Sequence, residues 1–127
     1  MILRYDWHSN KPELGRYMSV VGIIGIIGID AGTQGLSVVF VDESLQVLAT
    51  GEGGYDMVAG LPEGSYEQRP KDWESALSTA MDGLRQNLHK QGVVDFTVNA
   101  IGISGQMHGE VLIDESQNSI GLSLIHI

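Results

Sequence analysis

Gly28-Ile29-Asp30-Ala31-Gly32-Thr33-Gln34-Gly35-Leu36-Ser37-Val38-Val39-Phe40-Val41-Asp42 is the stretch on which the reading of this chain turns. An apolar run stops at one carboxylate, Asp30, crosses five small or polar residues, and becomes apolar again. Upstream, Val20 to Ile29 is apolar with Gly22, Gly25 and Gly28 at every third position. That spacing matches neither a period of 2 nor one of 3.6, so β-branched content and the abrupt stop must assign it. They predict a strand buried on both faces, its starting register left open by the Gly-Ile-Ile repeat. Downstream, Gly35 to Val41 is a second strand, Asp42-Glu43-Ser44 a turn, and Leu45 to Thr50 a third strand. The three make an antiparallel meander with short connections.

Working outward, Gly51 to Arg69 holds several glycines, Pro62 and few apolar residues, and is expected to be a loop of the length that often carries function. Pro70 to Gln91 predicts a helix with Trp73, Ala76, Leu77, Ala80, Met81, Leu84 and Leu88 on one apolar face. Pro70 suits the first turn, or Asp72 the N-cap; His89 and Lys90 complement the dipole, and Gly92 ends the helix. Gly83 is expected to face solvent, at a cost of about 1 kcal/mol relative to alanine. Val98 to Ser104 is a fourth strand, running into a second polar turn, Gly105-Gln106-Met107-His108-Gly109. Val111-Leu112-Ile113 is expected as a short fifth strand, and its Ile-Asp-Glu-Ser ending repeats the earlier Val-Asp-Glu-Ser. Residues 1–19 read as a loose N-terminal extension, with Met18 a second candidate start, and 117–127 as an atypical or truncated tail.

Composition narrows the function classes. The chain has 127 residues, enough for one ordinary domain. A net charge of −9, with 7 basic residues in no run, argues against nucleic acid and anionic membrane as partners. No cysteine is present, which removes disulfides, thiolate zinc sites and a thiol nucleophile. The apolar run at 20–29 is far short of the roughly 20 residues of a membrane span and lacks a cleavage site, so a cytoplasmic location is expected.

The chemistry lies at the two turns. Glycine lets a backbone approach a ligand closely and expose N–H groups that cradle phosphate oxygens; Thr33 adds a hydroxyl and Gln34 an amide. Asp30 beside phosphate makes sense when a magnesium ion, directly or through its waters, lies between them. The same turn also fits a plain hairpin in which Asp30 only bonds local N–H groups. Several other motifs do not fit. No Lys-Ser/Thr follows the glycines, the G-x-G-x-x-G order is missing, and His8, His89, His108 and His126 have no metal-ligand spacing.

Three stretches together resemble the FGGY carbohydrate kinases, and within them the xylulokinases: Ile29-Asp30-Ala31-Gly32-Thr33-Gln34, Tyr66-Glu67-Gln68-Arg69-Pro70-Lys71-Asp72-Trp73, and Ile101-Gly102-Ile103-Ser104-Gly105-Gln106-Met107-His108-Gly109. They stand in family order over about Val21 to Glu115. The resemblance implies an α/β fold, part of an actin-like, ribonuclease H-like ATPase domain, with 20–116 an incomplete N-terminal kinase domain. It implies ATP and Mg²⁺ as cofactors, D-xylulose or a related ketose as substrate, and D-xylulose 5-phosphate as product. Asp30 would sit near the metal and the transferring phosphate, Gly32, Thr33 and Gln34 along the phosphates, and Met107 and His108 on the ketose, with Gln106 shaping the turn. The family's base and adenosine pocket lie further along, so this chain alone is expected to be inactive and to need a missing C-terminal domain. A homodimer is a further expectation. The alternatives are an actin- or chaperone-type nucleotide module without sugar turnover, and a small non-catalytic α/β module. Glu67 and Gln68 are read either as near the sugar or as exposed loop.

Overall fold

The computed structural model describes residues 22–125. The expected extension at 1–19 lies outside them. Three antiparallel strands come first: β1 (Ile23–Ala31), β2 (Gly35–Asp42) and β3 (Val47–Gly54). A two-residue strand β4 (Glu67–Gln68), the helix α1 (Pro70–Lys90) and β5 (Phe96–Gly105) follow, then β6 (Gly109–Glu110) and β7 (Ser123–Ile125). The main sheet has the order β3-β2-β1-β5, the meander being antiparallel and β5 running parallel to β1. A smaller sheet, β4-β7-β6, ties residues 67–68 to the tail and to the far side of the 105–109 turn.

Alternation along the strands builds one core face. Ile27, Ile29, Leu36, Val38, Phe40 and Ala49 point into it, and α1 closes it with Ala76, Ala80, Leu84 and Leu88. β1 is therefore buried on one face, not on both: Ile26 remains 44% exposed on the other side. Phe96 closes the sheet's lower end with its ring edge-on to Phe40, centroids 5.2 Å apart.

The helix lies close to β3 because β3 is glycine where they meet. A Cβ at Gly51 would fall on the Ala80 carbonyl, and one at Gly53 would stand 2.1 Å from the Ala76 oxygen. The segment read as the start of a loop is thus strand as far as Gly54, with Gly51 and Gly53 serving helix contact instead of chain reversal. Gly83 belongs to the same seam: a Cβ added there would stand 3.7 Å from the Gly51 Cα, so it does not face open solvent. Two helix side chains also cover the outer edge of β3: Asn87 donates to the Thr50 carbonyl (2.9 Å) and Gln91 to that of Leu48 (2.6 Å).

Pro70 is the first helical residue and Arg69 the N-cap, without a side-chain cap bond, so Asp72 sits in the first turn. At the other end Gly92 takes φ +80°; its N–H donates to His89 O and that of Val93 to Leu88 O, the paired bonds of a Schellman stop.

The two Asp-Glu-Ser turns are structural twins. Asp42 Oδ1 accepts from the amides of Ser44 and Gln46, and Asp114 Oδ1 from those of Ser116 and Asn118, all within 2.8–2.9 Å. Leu45 and Gln117, third after each Asp, take φ of 61° and 65°. The expected strand at 111–113 is reduced to one bridge, Ile113 with Ser119, beside which the Ile120 N–H donates to the Leu112 carbonyl at 2.8 Å.

Candidate functional site

The hairpin between β1 and β2 is held from behind. Tyr55, just after β3, is 8% exposed; its hydroxyl lies 2.5 Å from the Gly32 carbonyl and 3.0 Å from that of Gly35. Its N–H donates to the Gln34 carbonyl at 3.4 Å. Gln68, 0% exposed, donates from Nε2 to the Thr33 carbonyl at 2.6 Å. Gly32 N–H closes the hairpin onto Gly35 O at 2.9 Å. All four carbonyls from 32 to 35 thus accept from within the protein.

In a trans peptide the C=O and the following N–H point opposite ways. Drawing the Gly32 and Thr33 carbonyls inward therefore turns the N–H groups of Thr33 and Gln34 outward. Among the described residues neither amide has a protein acceptor. Two outward amides side by side form a small positive nest suited to an anion.

In front of the hairpin is a cleft of about 310 Å³ lined by Asp30, Gly32, Gln34, Ser37, Glu52 and Gly54 among others. Strand register explains the lining: Asp30 pairs with Ser37, Ser37 with Glu52, and Asp30 with Ser104 on the other side. Four polar residues thus form one row across the face of the sheet away from α1. Asp30 is exposed and, unlike Asp42 and Asp114, caps no local amide among the described residues. The plain-hairpin reading of its carboxylate therefore lacks its bonds. Burial, and secondarily the Asp30 charge, raise the Tyr55 phenol above its usual value.

The second turn lies at the same end of the sheet, because β5 runs parallel to β1. Ala31 pairs with Gly105, and the Gln106 N–H donates to the Ala31 carbonyl at 2.8 Å. Met107 is 73% exposed, and His108 is exposed in the left-handed region at φ 59°. Gln106 turns inward, its Nε2 3.2 Å from Gln68 Oε1. Of the residues singled out in sequence, Asp30, Gly32 and Gln34 line one cleft. Thr33 is held beside it, and the 106–108 turn sits one backbone bond away.

Tyr55 and Glu52 escape sequence reasoning. Tyr55 and Glu52 fall in a glycine-rich stretch that reads as loop. The exposed-loop alternative for Gln68 is overturned by its full burial. Among the described residues no three His, Cys, Asp or Glu side chains could hold a metal together. The Asp30 and Glu52 carboxylates and the Ser37 hydroxyl are hard oxygen donors, the kind magnesium takes a few at a time while keeping waters. No helix among the described residues is long and apolar enough to cross a membrane.

Comparison with known proteins agrees with this architecture. The model of the N-terminal domain of the FGGY family of carbohydrate kinases matches residues 25–125. The xylulose kinase of Escherichia coli (strain K12) is 37% identical over 91 residues, 72% of this chain and 18% of that protein. That of Haemophilus influenzae is 33% identical over 96 residues, 74% and 19% respectively. Among solved structures, a xyloylose kinase from Brucella ovis superposes with a TM-score of 0.69 at 31% identity, covering 79% of this chain and 20% of that one. A gluconate kinase from Lactobacillus acidophilus gives 0.68 at 25% identity, covering 80% and 19%. The chain thus spans about a fifth of the length of the relatives it matches. On the family match across four strands, helix and both turns, it belongs to the FGGY family of carbohydrate kinases as N-terminal domain sequence.

Proposed function

We propose that this chain is the phosphate- and sugar-facing part of a ketose kinase that transfers the γ-phosphoryl group of ATP to the 5-hydroxyl of D-xylulose. The observation that carries the reading is the pair of amides, Thr33 and Gln34, that have no acceptor among the described residues, beside Asp30, which caps no amide among them, and one backbone bond from the Met107–His108 turn. In this reading the two amides hold oxygens of the phosphate chain, as preorganised donors that need no rearrangement when charge builds up. Asp30, with Ser37 and Glu52 near it, would hold a magnesium ion, which neutralises phosphate charge when bound. Met107 and His108 contact the ketose and fix its 5-hydroxyl in line with the phosphorus.

The bond that forms joins the sugar oxygen to phosphorus, the bond that breaks is to the leaving ADP oxygen, and the hydroxyl proton goes to a carboxylate base. That base, like the adenosine pocket, is assigned to the remainder of the kinase. The 127-residue chain alone is therefore expected to leave D-xylulose unphosphorylated.

The test is a chimera in which residues 22–125 replace the matching segment of the Escherichia coli xylulose kinase. It should form ADP only when D-xylulose is present. His108→Ala should raise KM for D-xylulose about tenfold or more, the worth of a lost substrate hydrogen bond, with KM for ATP little changed. ATP hydrolysis indifferent to sugar and to His108 would favour a nucleotide switch of the actin or chaperone type and overturn the kinase reading.

A further inference from the structure

Gln68 is 0% exposed, and its carboxamide meets three separate elements. The Trp73 indole N–H can only donate, so the atom facing it at 3.0 Å must be the Gln68 oxygen. The nitrogen then faces the Thr33 carbonyl at 2.6 Å, where a donor is required. The same oxygen takes the Gln106 amide at 3.2 Å. One orientation matches the facing atom of each of the three partners, while Gln106 Oε1 stays buried without a hydrogen-bond partner among the described residues; the flipped one would set donor against donor and acceptor against acceptor. On the backbone side, Gln68 pairs with Ser123, joining it to the small sheet that also holds the exit of the 105–109 turn.

We propose that Gln68 is a positioning residue: it pins the Thr33 carbonyl inward, so that the Gln34 N–H faces the phosphate, and locks that hairpin to the Gln106 turn. This rests on the hairpin being a phosphate site, as proposed above. The two parts of the site are then one rigid piece, and a phosphate seated on the hairpin meets a turn already in register. Packing alone would ask only for a side chain of the right volume. The positioning role asks for a donor at one atom and an acceptor at the other.

Gln68→Glu separates the two. The protonated carboxyl group has the shape of the amide and the same donor and acceptor; the ionised one presents an oxygen to the Thr33 carbonyl and repels it. Burial raises a carboxyl pKa, so the switch is expected between about pH 5.5 and pH 8. The groups bonded to Gln68 (Thr33 carbonyl, Trp73 indole, Gln106 amide) do not titrate. The titratable and charged side chains around them are Tyr55 on the Trp73 ring, Asp30 on the hairpin, Glu67 and Arg69 in flanking positions, Asp72 on the first helical turn, and His108 on the 105–109 turn. The wild-type chain at the same pH values reports their combined effect.

The experiment uses the full 127-residue chain, ¹⁵N-labelled, with magnesium pyrophosphate as probe. In wild type, addition of the probe should shift the Thr33 and Gln34 amides, and the Trp73 indole and Gln106 amide should be protected from exchange at both pH values. Gln68→Glu should match wild type at about pH 5.5 and, at about pH 8, lose that protection and about tenfold in pyrophosphate affinity. Gln68→Met should be impaired at both. Glu and Met variants that behave alike at both pH values overturn the proposal, as does a Glu variant unfolded at pH 5.5 or one like wild type throughout. No pyrophosphate shift in wild type overturns both this and the phosphate reading. A pH-switched Glu variant alongside a chimera inactive on D-xylulose would sink only the sugar-kinase assignment.

Discussion

Val38 and Phe40 on β2, and Ile101 and Ile103 on β5, share one face of one sheet, yet the first pair is 0% exposed and the second 59% and 73%. The register makes the comparison tight: Ile27 lies between Phe40 and Ile101, and Ile29 between Val38 and Ile103. What differs is the cover. Helix α1 lies over β2 and β3, whereas β5 packs against the core at Phe96 and Val98 and leaves Ile101 and Ile103 exposed. Alternation along a strand decides which way a side chain points; whether it leaves water depends on what is laid on top.

The largest test of that contrast pairs Phe40→Ala with Ile103→Ala. Removing Phe40 should cost about 3–5 kcal/mol, the value of a large buried ring and the cavity it leaves. Ile103→Ala should stay within about 0.5 kcal/mol, as an exposed change does. Urea unfolding of the 127-residue chain measures both, and equal losses would mean that β5 is covered after all.

Glycine sharpens the same comparison. Gly53→Ala would drive a Cβ to 2.1 Å from the Ala76 oxygen and should cost about 1–3 kcal/mol by forcing α1 outward. Gly102→Ala, with nothing within 4 Å of the added carbon, should be neutral or stabilise by about 0.5 kcal/mol through lost unfolded-state freedom. If the two melt alike, the close helix contact described for β3 is wrong.

The smallest effect concerns Tyr55, where the covered half meets the site. Its phenol pKa is raised in the folded chain by burial first and by Asp30 second. A raised folded value means that its contribution is complete below the unfolded pKa, about 10, and is lost as pH rises through the folded value. Tyr55→Phe should lower stability at neutral pH by about 1 kcal/mol, one hydrogen bond's worth, and lessen the decline above about pH 10. A decline of unchanged steepness in the variant would remove Tyr55 as its source.

Much of this arrangement was open to reading from residue order. The Asp30 turn, the α1 face from Trp73 to Leu88 and the second turn at 105–109 each carry a local signal: a carboxylate ending an apolar run, a 3.6-residue period, glycines beside polar residues. The misreadings have one cause. Gly51 and Gly53 look like loop because glycine serves both reversal and close packing, and only the neighbouring helix says which. Gly83 looks solvent-facing until Gly51 is opposite it. Gln68 and Tyr55 stand in segments without periodicity, and what they do depends on carbonyls 35 and 20–23 residues away.

Residue order by itself determined α1, the four strands of the main sheet to within a few positions, and the two polar turns, but not the short β4, β6 and β7, because backbone preference and apolar period act over a few neighbouring residues. Tertiary structure alone decided that the turns meet at one end of the sheet, that the hairpin carbonyls face inward and two amides outward, and which half of the sheet is dry. Those are properties of parallel pairing, of buried hydrogen bonds between distant segments, and of where a single helix comes to rest.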